Sequence, residues 1–163
     1  MSTSPTAQPA GAATSKALRV VITLLGAVSA FVAVNVAFGG LETLGLQGPT
    51  DYFRVTDQHV YAIRDSHAHY YGGVYLALGV FLTYAASDVR RFRQGLYVVF
   101  AMIFAGGLAR ITQIEPATTF GHDLLPSTLI ELFGIPLLAV WVAKATRTTN
   151  AVASPKRLAA VTV

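Results

Sequence analysis

Residues 20–40 run for twenty-one positions without an Asp, Glu, Lys or Arg. A helix of that length, rising about 1.5 Å per residue, reaches about 30 Å, the thickness of a bilayer's hydrocarbon core. In water such a stretch would be left with a wide apolar surface and nothing to cover it; in lipid it is at home. A cleaved signal peptide is the rival reading, because Lys16 and Arg19 precede the run and Val28-Ser29-Ala30 offers small residues for cleavage. The run continues ten residues past that point, so a retained helix is the expectation.

Three more segments, 66–86, 96–114 and 124–143, read as spans, the third broken by Arg110 and the fourth holding Glu131. Only 12% of the chain is Asp, Glu, Lys or Arg, about half the fraction of roughly 25% that covers a soluble domain. The fold class expected is therefore all-α, a bundle of four transmembrane helices. Residues 1–16 are small and polar and read as a disordered tail, 41–65 as a polar external loop, and 144–163 as a second tail.

Basic residues set the orientation. Lys16, Arg19, Arg90, Arg91, Arg93, Lys144, Arg147, Lys156 and Arg157 fall on one side of the expected membrane, against Arg54 and Arg64 on the other. The richer side is expected to be cytoplasmic, which puts both termini inside. The basic residues flank apolar segments and do not form an aromatic-laced face, so nucleic acid is not an expected partner. The chain has no cysteine, which excludes disulfides and thiolate chemistry.

A charge at mid-bilayer costs about 2.5–3.5 kcal/mol on insertion scales, so each intramembrane polar residue calls for a partner or a wet cavity. Counting helix rise from the span ends puts Arg110 about 21 Å from the cytoplasmic start of its span and Glu131 about 10 Å below the outer start of its own. Asn35 falls about 22 Å up the first span, and His67 and His69 within about 5 Å of the outer start of the second. The expected buried polar cluster, and candidate ligand site, is Arg110, Glu131, His69, Asp65 and Asn35, gathered near the outer face.

Helical spacing assigns faces within it. His69 shares a stripe with Asp65, Gly72, Gly73, Leu76, Gly79 and Thr83, whose small residues invite a close neighbour. His67 lies on the opposite face with Tyr71, at the headgroup level. Arg110 stands beside Gly106 and Gly107, and Pro136 follows Glu131, where its missing N–H should disturb the helix. Tyr70, Tyr71, Tyr75, Tyr97 and Trp141 sit near span ends as interfacial anchors. His69 and Asp65, with Glu131 and an external His59 or His122, are the residues from which a metal site would have to be built. No recognised ligand spacing occurs, and neither metal nor other cofactor is expected.

The runs YYGGVYLALGVFL in span two and FAGGLARI at the end of span three, with Glu131 in the apolar opening of span four, resemble the BphX-like small membrane proteins, and more loosely the DoxX-like ones, over roughly residues 17–143. In those proteins an arginine commonly stands shortly before the first Gly-Gly; here Arg64 is farther away, and His67 and His69 occupy the nearer ground. The resemblance implies a four-helix bundle in a bacterial inner membrane with no established activity. Three functions stay open. The first is a non-catalytic accessory subunit or binder of a lipid-like small molecule, partnered by the bilayer and by a membrane protein or second copy. The second is a proton-coupled transporter using Glu131 and Arg110, and the third a redox or metal-binding subunit centred on His69.

Overall fold

The structure is a computed structural model and describes residues 10–42, 55–112, 120–121 and 124–152. Among these the chain is all-α, with four helices: α1 (Ala10–Gly39), α2 (Gln58–Ala85), α3 (Arg93–Ile111) and α4. The last begins as Leu125–Leu129, passes through a π-helical turn at Ile130–Gly134 and continues as Ile135–Val152. Three stretches are long and apolar enough to cross a membrane: Lys16–Glu42, Arg93–Ile111 and Leu125–Arg147. The second span of the sequence reading does not meet that standard, because His69, Tyr70, Tyr71, Tyr75 and Tyr84 lower the hydropathy of α2.

Helix boundaries differ from the sequence reading in three places. α1 starts at Ala10, inside the segment read as a tail, so Lys16 and Arg19 lie on the helix and not ahead of it. No proline interrupts residues 10–48, and the helix runs until Gly40, whose φ of 61° only glycine adopts without strain. α2 starts at Gln58, two turns before Ser66, because the Asp57 carboxylate accepts the backbone N–H groups of His59 (2.9 Å) and Val60 (3.1 Å). α4 continues to Val152, well into the segment read as a C-terminal tail. The rest of the expected tails and residues 43–54 of the expected external loop lie outside the described residues.

The chain divides into two compact units, one of Val20–Ser87 and the other of Asp88–Val163 with the chain up to Arg19. In the first, α1 and α2 meet backbone to backbone. A Cβ on Gly26 would lie 2.5 Å from the Thr83 hydroxyl and 2.7 Å from the Gly79 carbonyl, and one on Gly79 would lie 2.6 Å from the Ala30 nitrogen. Gly72 is equally closed against Ala37 and Val36, whereas Gly73 has open space around it. The packed stripe is thus Asp65, His69, Gly72, Gly79 and Thr83, without Gly73. Where lipid tails are as apolar as Leu, such close approach is what dispersion forces can use to hold helices together.

In the second unit α3 packs on α4. Leu96, Val99, Phe100 and Gly107 form the buried stripe of α3, and Thr128, Ile135, Leu138, Val142 and Thr146 that of α4, each at three- and four-residue spacing or its multiples. Large apolar side chains elsewhere face outward, among them Val98, Met102, Leu137 and Val140. Just 22% of the most apolar window of each helix is buried, so most of that surface is left for lipid.

Candidate functional site

Arg110 stands in the last turn of α3, where a cation is favoured by the helix dipole. It reaches α4 through a two-pronged contact: Nε donates to Glu131 Oε2 at 2.8 Å and Nη2 to Oε1 at 3.1 Å. Parallel bonds of this kind are the strongest and most directional an arginine makes with a carboxylate. Gly107, one turn before Arg110, makes it possible, since a Cβ there would lie 2.8 Å from that of Glu131. The Arg110 side chain keeps 32% of its surface exposed and that of Glu131 14%, so the pair is half sheltered.

Glu131 sits in the π-turn, and the reason is local. Pro136 has no N–H for the Leu132 carbonyl, and its ring crowds that group. The chain responds by widening: the Ile135 N–H donates to the Ile130 carbonyl, five residues back instead of four. One extra residue in a turn rotates everything on one side of it by about 100° relative to the other. Thr128, three residues before Glu131 and 1% exposed, has a hydroxyl without a hydrogen-bond partner. Buried polar groups in native folds are rarely left so. The sequence reading passed over Thr128; its three-residue spacing from Glu131 was the available signal.

His69 and Asp65 belong to the other unit and act on the end of α1. In a continuing helix the Leu41 N–H would donate to the Ala37 carbonyl; at Gly40 the chain turns away, leaving both groups without that partner. Asp65 Oδ1 accepts the Leu41 N–H at 2.8 Å, and His69 Nδ1 donates to the Ala37 carbonyl at 2.7 Å. The two side chains also lie 3.4 Å apart, Nε2 to Oδ2. They form a clasp that replaces one helical hydrogen bond and satisfies backbone groups that lipid could not. Nearby, Tyr61 donates to Glu42; burial, then the charges of Glu42 and Asp65, push its phenol above the ordinary value of 10.0. Asn35 turns inward on its own helix, donating to the Phe31 carbonyl at 2.9 Å. His67 is exposed and stacks on Tyr71, with ring centroids 6.4 Å apart.

The candidate residues therefore group by unit: Arg110 with Glu131 in one, His69 with Asp65 in the other. Among the described residues no three His, Cys, Asp or Glu side chains come together as a metal ion would require. His122 lies outside the described residues. A search of curated proteins and a search of solved structures each return no match. The comparisons do not bear on the likeness to BphX-like and DoxX-like proteins. A family model does match, over residues 17–142, and covers all four helices in whole or large part. The chain belongs to the family described as a domain of unknown function, DUF4345.

Proposed function

We propose that the protein is a non-catalytic, multi-pass membrane protein that holds an anionic, lipid-like small molecule at Arg110 and Glu131. The observation that carries this reading is the two-pronged contact between them, placed in a π-turn and partly open to the surroundings. A carboxylate or phosphate head has the same fork geometry that Glu131 offers Arg110. Exchange of one for the other leaves Glu131 to take up a proton or to accept a hydrogen bond from a hydroxyl of the ligand. The unpartnered Thr128 hydroxyl, one turn away, supplies a further polar contact. π-turns inside α-helices are found frequently at functional sites, which favours a binding role over a purely structural pair.

The proposed setting is a bacterial inner membrane crossed four times, the second crossing made by α2 from about residue 66 onward, with both termini cytoplasmic. Its support is the apolar length of α1, α3 and α4, the glycine contacts that hold α2 to α1, and the concentration of basic residues at one set of span ends. The BphX-like resemblance points the same way.

Purification in mild detergent followed by native mass spectrometry tests the proposal. An anionic amphiphile retained by the native chain and lost in Arg110→Gln is the expected result. Bound species identical in the native chain, Arg110→Gln and Glu131→Gln would sink it. A stoichiometric protein partner, or a second copy of the chain, with no small molecule would turn the reading to an accessory subunit. Uptake that depends on external pH and vanishes in Glu131→Gln would turn it to a proton-coupled carrier.

A further inference from the structure

The turn into α3 carries Arg90, Arg91 and Arg93 within four residues. Its backbone is closed by the Phe92 N–H donating to the Asp88 carbonyl (3.1 Å) and by Asp88 Oδ1 accepting the Arg91 N–H (3.1 Å). The Arg91 guanidinium lies over the Phe92 ring, 5.4 Å from its centroid. Within the same unit these arginines, with Gln94 and Thr146 of α4, line a cavity of about 260 Å³. Thr146 is 6% exposed, its hydroxyl donating to the Val142 carbonyl at 2.8 Å. The α3 N-terminus beside it, at Phe92, has no side-chain cap.

Arg90, Arg91 and Arg93 line one cavity, and an anion held there is attracted to all three charges. The volume is below the roughly 300–1,000 Å³ of pockets that enclose a whole drug-sized ligand, so it suits the head of a larger molecule. An outlet for the remainder is at hand. Gln94, Val98 and Met102 follow one another at four-residue spacing along α3, and Val98 and Met102 are 61% and 48% exposed. This ridge leads from the charged cavity along the apolar length of the helix.

We propose that the cavity is a binding site for the phosphate headgroup of an anionic phospholipid whose acyl chains lie along the Val98–Met102 ridge. A free phosphate has no use for that ridge; a lipid uses both halves. Basic pockets at the ends of transmembrane helices serve this purpose generally. The inference rests on the membrane-spanning reading of α3 and α4 and is independent of the Arg110–Glu131 pair.

Trp141, the single tryptophan of the chain, is the reporter. It stands five residues before Thr146 on α4, about 7.5 Å along the axis toward the apolar stretch. The full chain is placed in phosphatidylcholine nanodiscs, and its emission is followed with brominated-acyl phosphatidylglycerol or brominated-acyl phosphatidylcholine at equal mole fraction. Phosphatidylglycerol is expected to quench at lower mole fraction. Arg91→Gln and Arg93→Gln are each expected to reduce that preference roughly fivefold, the worth of one basic residue at an anionic surface. Arg147→Gln, at an exposed position outside the cavity lining, should change it less than about twofold, as expected of a solvent-screened surface charge. Equal quenching of the native chain by the two lipids overturns the proposal, whether or not any variant folds. Equal losses at positions 91, 93 and 147 overturn it in favour of diffuse surface charge. Quenching relieved by inorganic phosphate, at an ionic strength where chloride has no effect, overturns it in favour of a free-anion site. A chain that stays outside the nanodisc overturns the membrane reading along with it.

Discussion

Among the described residues, Arg110 and Glu131 form a two-pronged ion pair between α3 and α4. Removing either partner leaves the other charged and half sheltered from water, which is costlier than removing both. A thermodynamic cycle of Arg110→Gln, Glu131→Gln and the double variant, measured by unfolding in mixed micelles, should give an interaction term of about 1–3 kcal/mol. Strict additivity would show that the fork is not maintained in the bilayer. His69 and Asp65 call for a different measurement, because their partners are backbone groups. Asp65→Ala deprives the Leu41 N–H of its acceptor and should cost about 1–2 kcal/mol, with faster hydrogen exchange at that amide. Asp65→Asn keeps an acceptor oxygen there and should cost less. Unchanged exchange at Leu41 in Asp65→Ala would refute the clasp.

Among the helices, α1 and α2 depend on the absence of side chains. Gly79→Leu drives atoms into the Ala30 backbone and should destabilise the protein by about 1–3 kcal/mol. Gly73→Leu, six residues earlier and facing open space, should stay within about 0.5 kcal/mol. Similar losses at the two positions would mean that the packed face is misassigned. α4 depends on its π-turn. Deleting Phe133, 62% exposed, returns the turn to α-helical spacing and rotates Glu131 by about 100° relative to the helix that follows. The Arg110–Glu131 interaction term should fall to near zero in that background while the helical content persists. Retention of the term would show that the turn does not aim the carboxylate.

The molecule as a whole is defined by what its surface lacks. With so much apolar side chain facing outward on α1, α3 and α4, the chain should leave membranes only with detergent. Because it has no native cysteine, single cysteines report topology directly. Substitutions at Arg19 and Arg147 should be labelled by a membrane-impermeant thiol reagent from the cytoplasmic side, and one at His67 from the opposite side. Labelling of positions 19 and 147 from opposite sides would refute an even number of spans between the termini.

Helical class and apolar spans are legible in the bare chain, because the cost of desolvating a charge acts on each residue wherever its neighbours are. The stripe through His69, Gly72 and Gly79 is legible for a related reason: helical periodicity is local. Arg110 and Glu131 could be named as a pair, and Pro136 as a disturbance. How the three are related was decided by the tertiary structure, since an added residue in one turn rotates a carboxylate without leaving a mark in hydropathy. Gly73 as an open position, and the Leu41 and Ala37 backbone groups held by Asp65 and His69, were likewise settled only by packing. Each depends on where a second segment of chain lies, and composition carries no distance. The basic turn shows the same division. Its charge counts toward orientation from the sequence alone, but only the approach of Thr146 makes a cavity of it.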